Sequence, residues 1–184
     1  MHCQHNHQFS TTNHRGFSLI EVLVSVLVLA IGIIGTIRLQ IHSLQTTQQS
    51  NFYSQAVQLA NEMANNIRSN QSTDPNANNR YLQINYSANE DAPKSSASCY
   101  QRRCNPSQLA EATVHEWLAH IHQALPNAKA VVCRDDQPWD SSTQQLRWEC
   151  AGSADAAIVI KLGWTEQADQ NTLASPKFAL AISP

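Results

Sequence analysis

An unbroken apolar run dominates the first part of the chain. Between Phe17 and Ile37 the only ionisable residue is Glu21. A helix of these 21 residues would be about 31 Å long, which matches the hydrocarbon core of a bilayer. The run is longer than the apolar region of a secretory signal peptide, and no small-residue cleavage site follows it. The pattern predicts a membrane anchor over 17–37 that the mature protein keeps.

Helical spacing of the apolar positions continues after the anchor. From Arg38 to about Ser69 these positions fall on one stripe at steps of three and four residues. No proline occurs between residues 17 and 74, so nothing forces a break in the helix. We therefore predict one long helix. Its lower half, 17–37, spans the membrane, and its upper half, 38–69, packs on a head domain formed by 70–184.

A second, shorter helix is predicted over 106–125. Asn105 is a favoured N-cap residue, Pro106 suits the first helical position, and Gln108 completes a capping box. Pro126 marks the end of the helix. One apolar face is expected to pack on the core, and it comprises Leu109, Val114, Trp117, Leu118, Ile121 and Leu125.

The last third of the chain alternates between apolar and polar residues. Its alternation predicts strands at about 130–134, 145–150, 157–164 and 177–183. These strands would form a four-stranded antiparallel sheet with one polar face and one core face, and the long helix would cover the core face. Residues 81–86 fit a further short strand. The predicted fold class is α+β, with a long N-terminal helix packed on the sheet and one extra helix.

Composition and charge exclude several classes of function. The 184 residues carry a formal net charge of −2, so no basic field indicates nucleic acid as an obligatory partner. The sequence has no Gly-rich phosphate loop, no Gly-x-Ser-x-Gly motif and no carboxylate pair at a shared helical spacing. We predict that the protein is not an enzyme and has no catalytic residues and no cofactor.

Two groups of histidines come close to metal-site patterns without meeting them. His115 and His120 flank a Glu-containing segment like that of zinc proteases, but with one residue too many between them. At about 100° per residue they lie about 140° apart on a helix, so we interpret them as solvated positions. No metal site is predicted there. The N-terminal group also fits no standard spacing, and it comprises His2, Cys3, His5, His7 and His14.

Four cysteines follow the anchor, namely Cys99, Cys104, Cys133 and Cys150. An even number on the outer side of a membrane argues for disulfides, and four cysteines allow three pairings. We choose Cys99–Cys104 as a local loop and Cys133–Cys150 as a link between two predicted neighbouring strands. A zinc site built from the same four thiolates is the alternative, although no Cys-x-x-Cys is present.

The start of the apolar run carries a family resemblance in the residues Gly16-Phe17-Ser18-Leu19-Ile20-Glu21-Val22-Leu23. This stretch resembles the class III signal of type IV pilins and type II secretion pseudopilins. The resemblance implies a pilin-like fold and a leader, 1–16, that a prepilin peptidase removes by cutting after Gly16. It also implies methylation of the new N-terminus at Phe17, and pairing of Glu21 with the N-terminal amine of a neighbouring subunit. The implied location is the inner membrane, with one span, a periplasmic head and later incorporation in a pilus.

Two later segments resemble the PilV family of minor pilins. One is the stretch Leu59-Ala60-x-x-Met63-Ala64-x-x-Ile67-Arg68-x-Asn70, and the other is the helix that follows Cys104 and closes at Leu125-Pro126. The resemblance implies pilus assembly in a priming or tip complex. The implied partners are other minor and major pilins, the inner-membrane assembly platform and membrane lipid. The alternatives are a minor pseudopilin of a type II secretion system, or a membrane-anchored binding module such as an adhesin or DNA-uptake receptor.

Overall fold

The computed structural model describes residues 18–71, 78–88, 99, 103–165 and 173–182. The leader 1–16 and the processing residues Gly16 and Phe17 lie outside the described residues. The chain divides into two compact units, 1–47 and 48–184. The elements in chain order are α1 Leu19–Gln71, α2 Asn78–Tyr81, β1 Ile84–Ser87, α3 Pro106–Ala124, β2 Lys129–Arg134, β3 Trp139–Asp140, β4 Gln145–Leu146, β5 Ile158–Gly163 and β6 Phe178–Ile182.

The described part of the first unit is a single stretch of helix, the portion of α1 from Leu19 to Thr47. Every described residue in it is exposed, including large apolar side chains such as Leu19 at 83% and Ile37 at 47%. By length and composition alone, α1 could cross a membrane. A continuous apolar surface of this kind needs lipid or protein to cover it.

In the second unit, α1 contributes one face to the hydrophobic core. Burial on α1 begins at Phe52, and the fully buried side chains farther along include Ala56, Met63 and Ile67. Residues 38–51, which the sequence predicts to pack on the head, are exposed. That segment is mostly Gln, Thr and Ser, so it has no apolar face broad enough to bury.

Helix α3 begins with the predicted cap. The side chain of Asn105 accepts a hydrogen bond from the Gln108 amide, and the Gln108 side chain accepts one from the Asn105 amide, with Pro106 at the first helical position. The core residues of α3 are Ala110, Trp117 and Ile121. Leu109 was expected in the core but is 46% exposed, because the buried stripe runs through Ala110 instead.

Four strands form the antiparallel sheet in the order β1-β2-β5-β6. The register places Ile160 opposite Val132 on one side and Leu180 on the other, so one face of the sheet is continuously apolar. This face joins the buried residues of α1 and α3 in a single core. The architecture is the α+β, pilin-like fold that the sequence predicted, and that prediction is confirmed.

The predicted strand at 145–150 was wrong. Only Gln145–Leu146 is a strand there, and it pairs with Trp139–Asp140 in a separate two-stranded ribbon. The fourth strand of the sheet is β1, Ile84–Ser87, which overlaps the short strand predicted at 81–86. The alternation at 146–150 has another cause: Trp148 packs against Gly163 and Cys150 is joined to Cys133, so these side chains anchor a covering segment.

The sheet also lacks the fully polar outer face that was expected. Ile158, Ile160 and Leu162 of β5 face the core, so the alternate residues Val159, Lys161 and Gly163 occupy the outer face, yet all are buried. Residues 135–157, which we call the flap, provide contacts on this face through Asp135, Trp148 and Glu149. Strand β5 is therefore covered on both sides.

Candidate functional site

The first turn of α1 presents a single carboxylate on an apolar surface. The Glu21 amide donates to the carbonyl of Ser18 at 2.9 Å, and the Ser25 hydroxyl donates to the carbonyl of Glu21 at 2.8 Å. The side-chain carboxylate of Glu21 makes no hydrogen bond or ion pair with any residue that the structure describes. An acidic residue in the first turn interacts favourably with the helix dipole, but that position does not replace a cationic partner.

The surroundings of Glu21 restrict what it can do chemically. Its neighbours Ile20 and Leu23 are 69% and 61% exposed, so the carboxylate lies within an exposed apolar surface. A carboxylate in a membrane costs about 2.5–3.5 kcal/mol at the centre of a spanning helix, and such groups usually pair or face a polar cavity. The arrangement suits electrostatic pairing with a cation from another chain.

Two disulfides lie in the second unit. The structure joins Cys99 to Cys104, with Cα atoms 5.7 Å apart, and Cys133 to Cys150, with Cα atoms 6.1 Å apart. These are the pairs that the sequence analysis chose. The second bond is at the surface, since Cys150 is exposed and Cys133 is half-buried. It connects the end of β2 to the far side of the ribbon β3–β4 and so closes a loop that contains residues 135–149 of the flap.

A buried ion pair lies beside the second disulfide. The Nζ atom of Lys161 donates to Oδ2 of Asp135 at 2.5 Å and to the carbonyl of Glu149 at 2.6 Å. Oδ1 of Asp135 accepts from the amides of Gln137 and Ala151. Burial alone would raise the pKa of Asp135, but the Lys161 ammonium and these two amides outweigh it and lower the pKa below its ordinary value.

A groove of about 490 Å³ opens between the flap and the outer faces of β1 and β2. It is lined by Asn85, Val131, the disulfide of Cys133 and Cys150, and Trp148. The indole of Trp148 is fixed by a hydrogen bond from Nε1 to the carbonyl of Leu173, and its ring is covered by the Lys129 ammonium at 4.5 Å. The Trp148 side chain therefore makes its hydrogen bond and its cation–π contact within the chain, and these contacts hold the flap on the sheet.

The two α3 histidines of the zinc-protease-like segment, His115 and His120, differ in their surroundings. His120 is exposed and lies 3.4 Å from Glu62 through Nδ1. His115 is half-buried, and its Nδ1 is buried without a hydrogen-bond partner among the residues that the structure describes, so the prediction of a solvated side chain was wrong for it. Ala110 and Trp117, which lie on either side of His115 in the sequence of α3, belong to the buried face of this helix. His115 therefore lies near the edge of that face. Across the described ranges, no three His, Cys, Asp or Glu side chains form a group that could hold a metal ion.

Comparison with known protein families gives two adjacent matches. Residues 11–37 match the prokaryotic N-terminal methylation motif, and residues 38–115 match the family model of type IV pilin Tt1218. The matches are thus to a type IV pilin domain and to the methylation motif. Together the matches support membership of the type IV pilin family. No curated protein and no solved structure gave a significant match to the chain.

The match to type IV pilins fits the structural description of α1. The methylation motif contains Gly16, Phe17 and Glu21 and ends with the apolar run, and the Tt1218 match contains the buried face of α1. The motif implies processing by a prepilin peptidase and a role in a pilus or pseudopilus, and pilins are structural rather than enzymatic proteins. The flap and strands β2, β5 and β6 lie beyond residue 115, outside both matches.

Sequence reasoning missed Asp135 and Lys161. The signal that could have found Lys161 is its position in Ile158-Val159-Ile160-Lys161-Leu162, where a charged residue interrupts an apolar strand. A lysine is almost never fully buried unless it is paired, so an interruption of this kind calls for a carboxylate partner. The sequence around Asp135 contains Asp136 as well, and nothing local distinguishes the two.

Proposed function

We propose that this pilin is a minor pilin of the PilV type that takes part in type IV pilus assembly, in a priming or tip complex with other minor pilins. One observation carries the proposal: the exposed apolar part of α1 overlaps the methylation motif and bears in its first turn a single carboxylate with no partner in the described part of the chain. Its surface is built for contact with other helices and lipid rather than for a soluble ligand.

In this proposal, processing creates the partner of Glu21. A cut after Gly16 frees the amine of Phe17, and that amine on a neighbouring subunit is the cation that Glu21 lacks among the described residues of its own chain. Because an unpaired carboxylate is penalised in an apolar environment, pairing favours one axial offset between adjacent helices over the others. The apolar side chains between residues 19 and 37 supply packing, and Glu21 supplies the register.

The proposed partners follow from this mechanism. They are prepilin peptidase, other minor and major pilins, the inner-membrane assembly platform and membrane lipid, with residues 17–37 crossing the inner membrane and the head in the periplasm. The PilV assignment is supported by the resemblance in 59–70. Part of that motif has a packing role, since Leu59, Met63 and Ile67 are buried and Asn70 donates to the hydroxyl of Tyr81.

The proposal is tested first by mass spectrometry of the full-length chain isolated from membranes. We expect a mature protein that begins at Phe17 and carries one added methyl group on its amine. A chain that still begins at Met1, or that is recovered only as a soluble protein, would contradict it.

A deletion of the gene then separates a pilus role from a secretion role. We expect the deletion to abolish or reduce surface pili and twitching while leaving enzyme secretion unchanged. Loss of enzyme secretion with normal pili would assign the chain to a type II secretion pseudopilus. Retention of both, with loss of adhesion or DNA uptake by intact pili, would favour a binding module.

A further inference from the structure

Three attachments of the flap to the sheet lie close together in sequence. They are the Cys133–Cys150 disulfide and the two hydrogen bonds that Lys161 donates to Asp135 and Glu149. Asp135 is two residues after Cys133, and Glu149 is the residue before Cys150. These are the two residues whose oxygen atoms accept the hydrogen bonds of the buried Lys161 ammonium. The disulfide Cys133–Cys150 therefore closes the loop at the point where both acceptors of Lys161 are held.

We propose that the Cys133–Cys150 disulfide is a redox-controlled latch for the flap: while it is intact Lys161 is sealed, and when it is reduced the flap opens and exposes Lys161. The opening leaves the core of α1, α3 and the sheet folded. This inference concerns the head alone and does not depend on the pilin function proposed above.

The geometry explains why the bond controls burial of the lysine. A buried ammonium is tolerated only while its hydrogen-bond acceptors remain in place. Asp135 stays near Lys161 because it follows directly from β2, whose register with β5 places Cys133 opposite Val159. Glu149 lies outside any strand, and its neighbours are held only by non-covalent contacts, from Trp148 to Leu173 and between Ala151 and the residues Asp135 and Asp136. When the disulfide is cut, these contacts alone hold the Glu149 carbonyl over Lys161. Their opening lets water hydrate the ammonium, which lowers its free energy.

The disulfide is also accessible to a reductant. Cys150 is exposed, and both cysteines line the open groove of about 490 Å³. A dithiol is the required co-reactant. Its thiolate attacks one sulfur to form a mixed disulfide, and its second thiol displaces the remaining cysteine thiol. Cys133 and Cys150 are then both reduced, and the dithiol is oxidised to its own disulfide.

The remaining flap contacts hold the oxidised state but are weaker constraints. Arg147 donates from Nη2 and Nε to the carbonyl of Gln137, a contact that lies within the flap and moves with it. Trp148 is held by Leu173 and by Lys129 of β2, both outside the flap, and Ala151 exchanges single hydrogen bonds with Asp135 and Asp136. On the loop-entropy estimate, a closed loop of this length restricts the open ensemble by roughly 100-fold, so loss of the bond shifts the flap strongly toward opening.

Amine acylation of the full-length chain in detergent micelles tests this proposal. Samples are treated with N-hydroxysuccinimidyl acetate, and modification of each lysine is followed by peptide mass spectrometry. The oxidised wild type is compared with Cys133→Ser/Cys150→Ser, and Cys99→Ser/Cys104→Ser is the matched control that removes the other disulfide. Lys177, which is exposed, calibrates reagent activity in every sample.

We expect Lys161 to be protected in the oxidised wild type and in the Cys99→Ser/Cys104→Ser control. In Cys133→Ser/Cys150→Ser, its acylation should accelerate by roughly 100-fold while that of Lys177 is unchanged. Hydrogen exchange on the same variant should show loss of protection within 135–151 and retained protection in β5 and α3. That pattern separates local opening from unfolding.

Three results would overturn the proposal. Lys161 could remain protected in Cys133→Ser/Cys150→Ser, which would show that the disulfide does not control the flap. It could react as fast as Lys177 in the oxidised wild type, which would show that it is never sealed. Finally, β5 and α3 could lose hydrogen-exchange protection together with 135–151, which would mean that the disulfide stabilises the whole head rather than a latch.

Discussion

The Nζ atom of Lys161 lies 2.5 Å from Oδ2 of Asp135, and neither side chain is exposed to solvent. The two residues are 26 positions apart in sequence, so the pair ties the start of the flap to the centre of β5. Removing two charges from water is costly, and a buried pair often contributes little more than apolar residues of the same size would. Removing only one partner is strongly destabilising, because the other charge then remains buried without a counter-ion.

The first prediction concerns the loss of the lysine alone. Lys161→Met leaves the Asp135 carboxylate buried with only the amides of Gln137 and Ala151, so we expect the free energy of unfolding to fall by about 3–5 kcal/mol. Denaturant unfolding of the full-length chain in detergent measures this. Lys177→Met, at an exposed position, is the control and should change stability by less than about 0.5 kcal/mol. Equal effects of the two substitutions would contradict a role for the pair.

The second prediction concerns removal of both charges. Asp135→Asn keeps a side-chain oxygen for the Gln137 and Ala151 amides, and Lys161→Met retains most of the apolar stem. The double variant Asp135→Asn/Lys161→Met should therefore regain most of the stability lost in Lys161→Met alone, by the same unfolding measurement. Additive losses would show that the two residues act independently.

The third prediction is the pH dependence that the pair creates. The pKa of Asp135 is lowered in the folded state, so the unfolded chain binds a proton at higher pH than the folded chain does. The stabilisation from the carboxylate is thus fully present above the unfolded pKa, near 4, and is lost as the pH falls through the folded pKa.

Thermal unfolding of wild type and of the double variant from neutral pH down to about pH 2 tests that sign. The stability difference between them should be constant above about pH 5 and should change in the direction of lost wild-type stability below about pH 4. A difference that does not depend on pH in this range would show that Asp135 titrates alike in the folded and unfolded chains.

The sequence was informative where a local pattern determines the structure. The long helix follows from its apolar residues and the absence of proline, and the start of α3 follows from the capping interaction between Asn105 and Gln108. The apolar alternation in Ile158, Ile160 and Leu162 predicted which face of β5 joins the core.

The flap could not be predicted because its pattern is ambiguous. Leu146, Trp148 and Cys150 alternate as strand residues do, yet only Leu146 is in a strand and the others anchor irregular backbone. Strand β1 has only four residues, and its sequence pattern was weaker than that of 146–150. Even so, β1 is the strand that completes the sheet. Which segment pairs with β2 depends on contacts distant in sequence, and local alternation cannot supply that information.

The fourth prediction concerns the contact between the two main helices of the head. Trp117 of α3 is fully buried and donates from Nε1 to the carbonyl of Leu59 on α1 at 2.8 Å. Trp117→Ala should lower the free energy of unfolding by about 3–5 kcal/mol through loss of packing. Trp139→Ala is the matched control, since Trp139 is 55% exposed, and it should cost far less in the same assay. Comparable losses would show that α3 does not depend on this anchor.

The last prediction tests the register role of Glu21 separately from the processing of the chain. Glu21→Val removes the only ionisable group between residues 17 and 37 without disturbing the apolar surface around it. We expect the variant to be cleaved and methylated normally but to reduce piliation strongly, because no carboxylate selects the axial offset between neighbouring helices. Immunoblots measure cleavage, mass spectrometry of the mature chain measures methylation, and counts of surface pili by electron microscopy measure assembly.

Two further variants identify the chemical property that matters at Glu21. Glu21→Gln keeps the size and hydrogen-bonding capacity but removes the charge, so it should resemble Glu21→Val if pairing with an amine is what counts. Thr36→Val is the control in the same helix, because the Thr36 hydroxyl donates to the Ile33 carbonyl within its own turn, and it should assemble normally. Normal piliation in Glu21→Val would remove the electrostatic register from the mechanism. It would leave the pilin assignment intact, because that assignment is tested by the N-terminus of the mature chain.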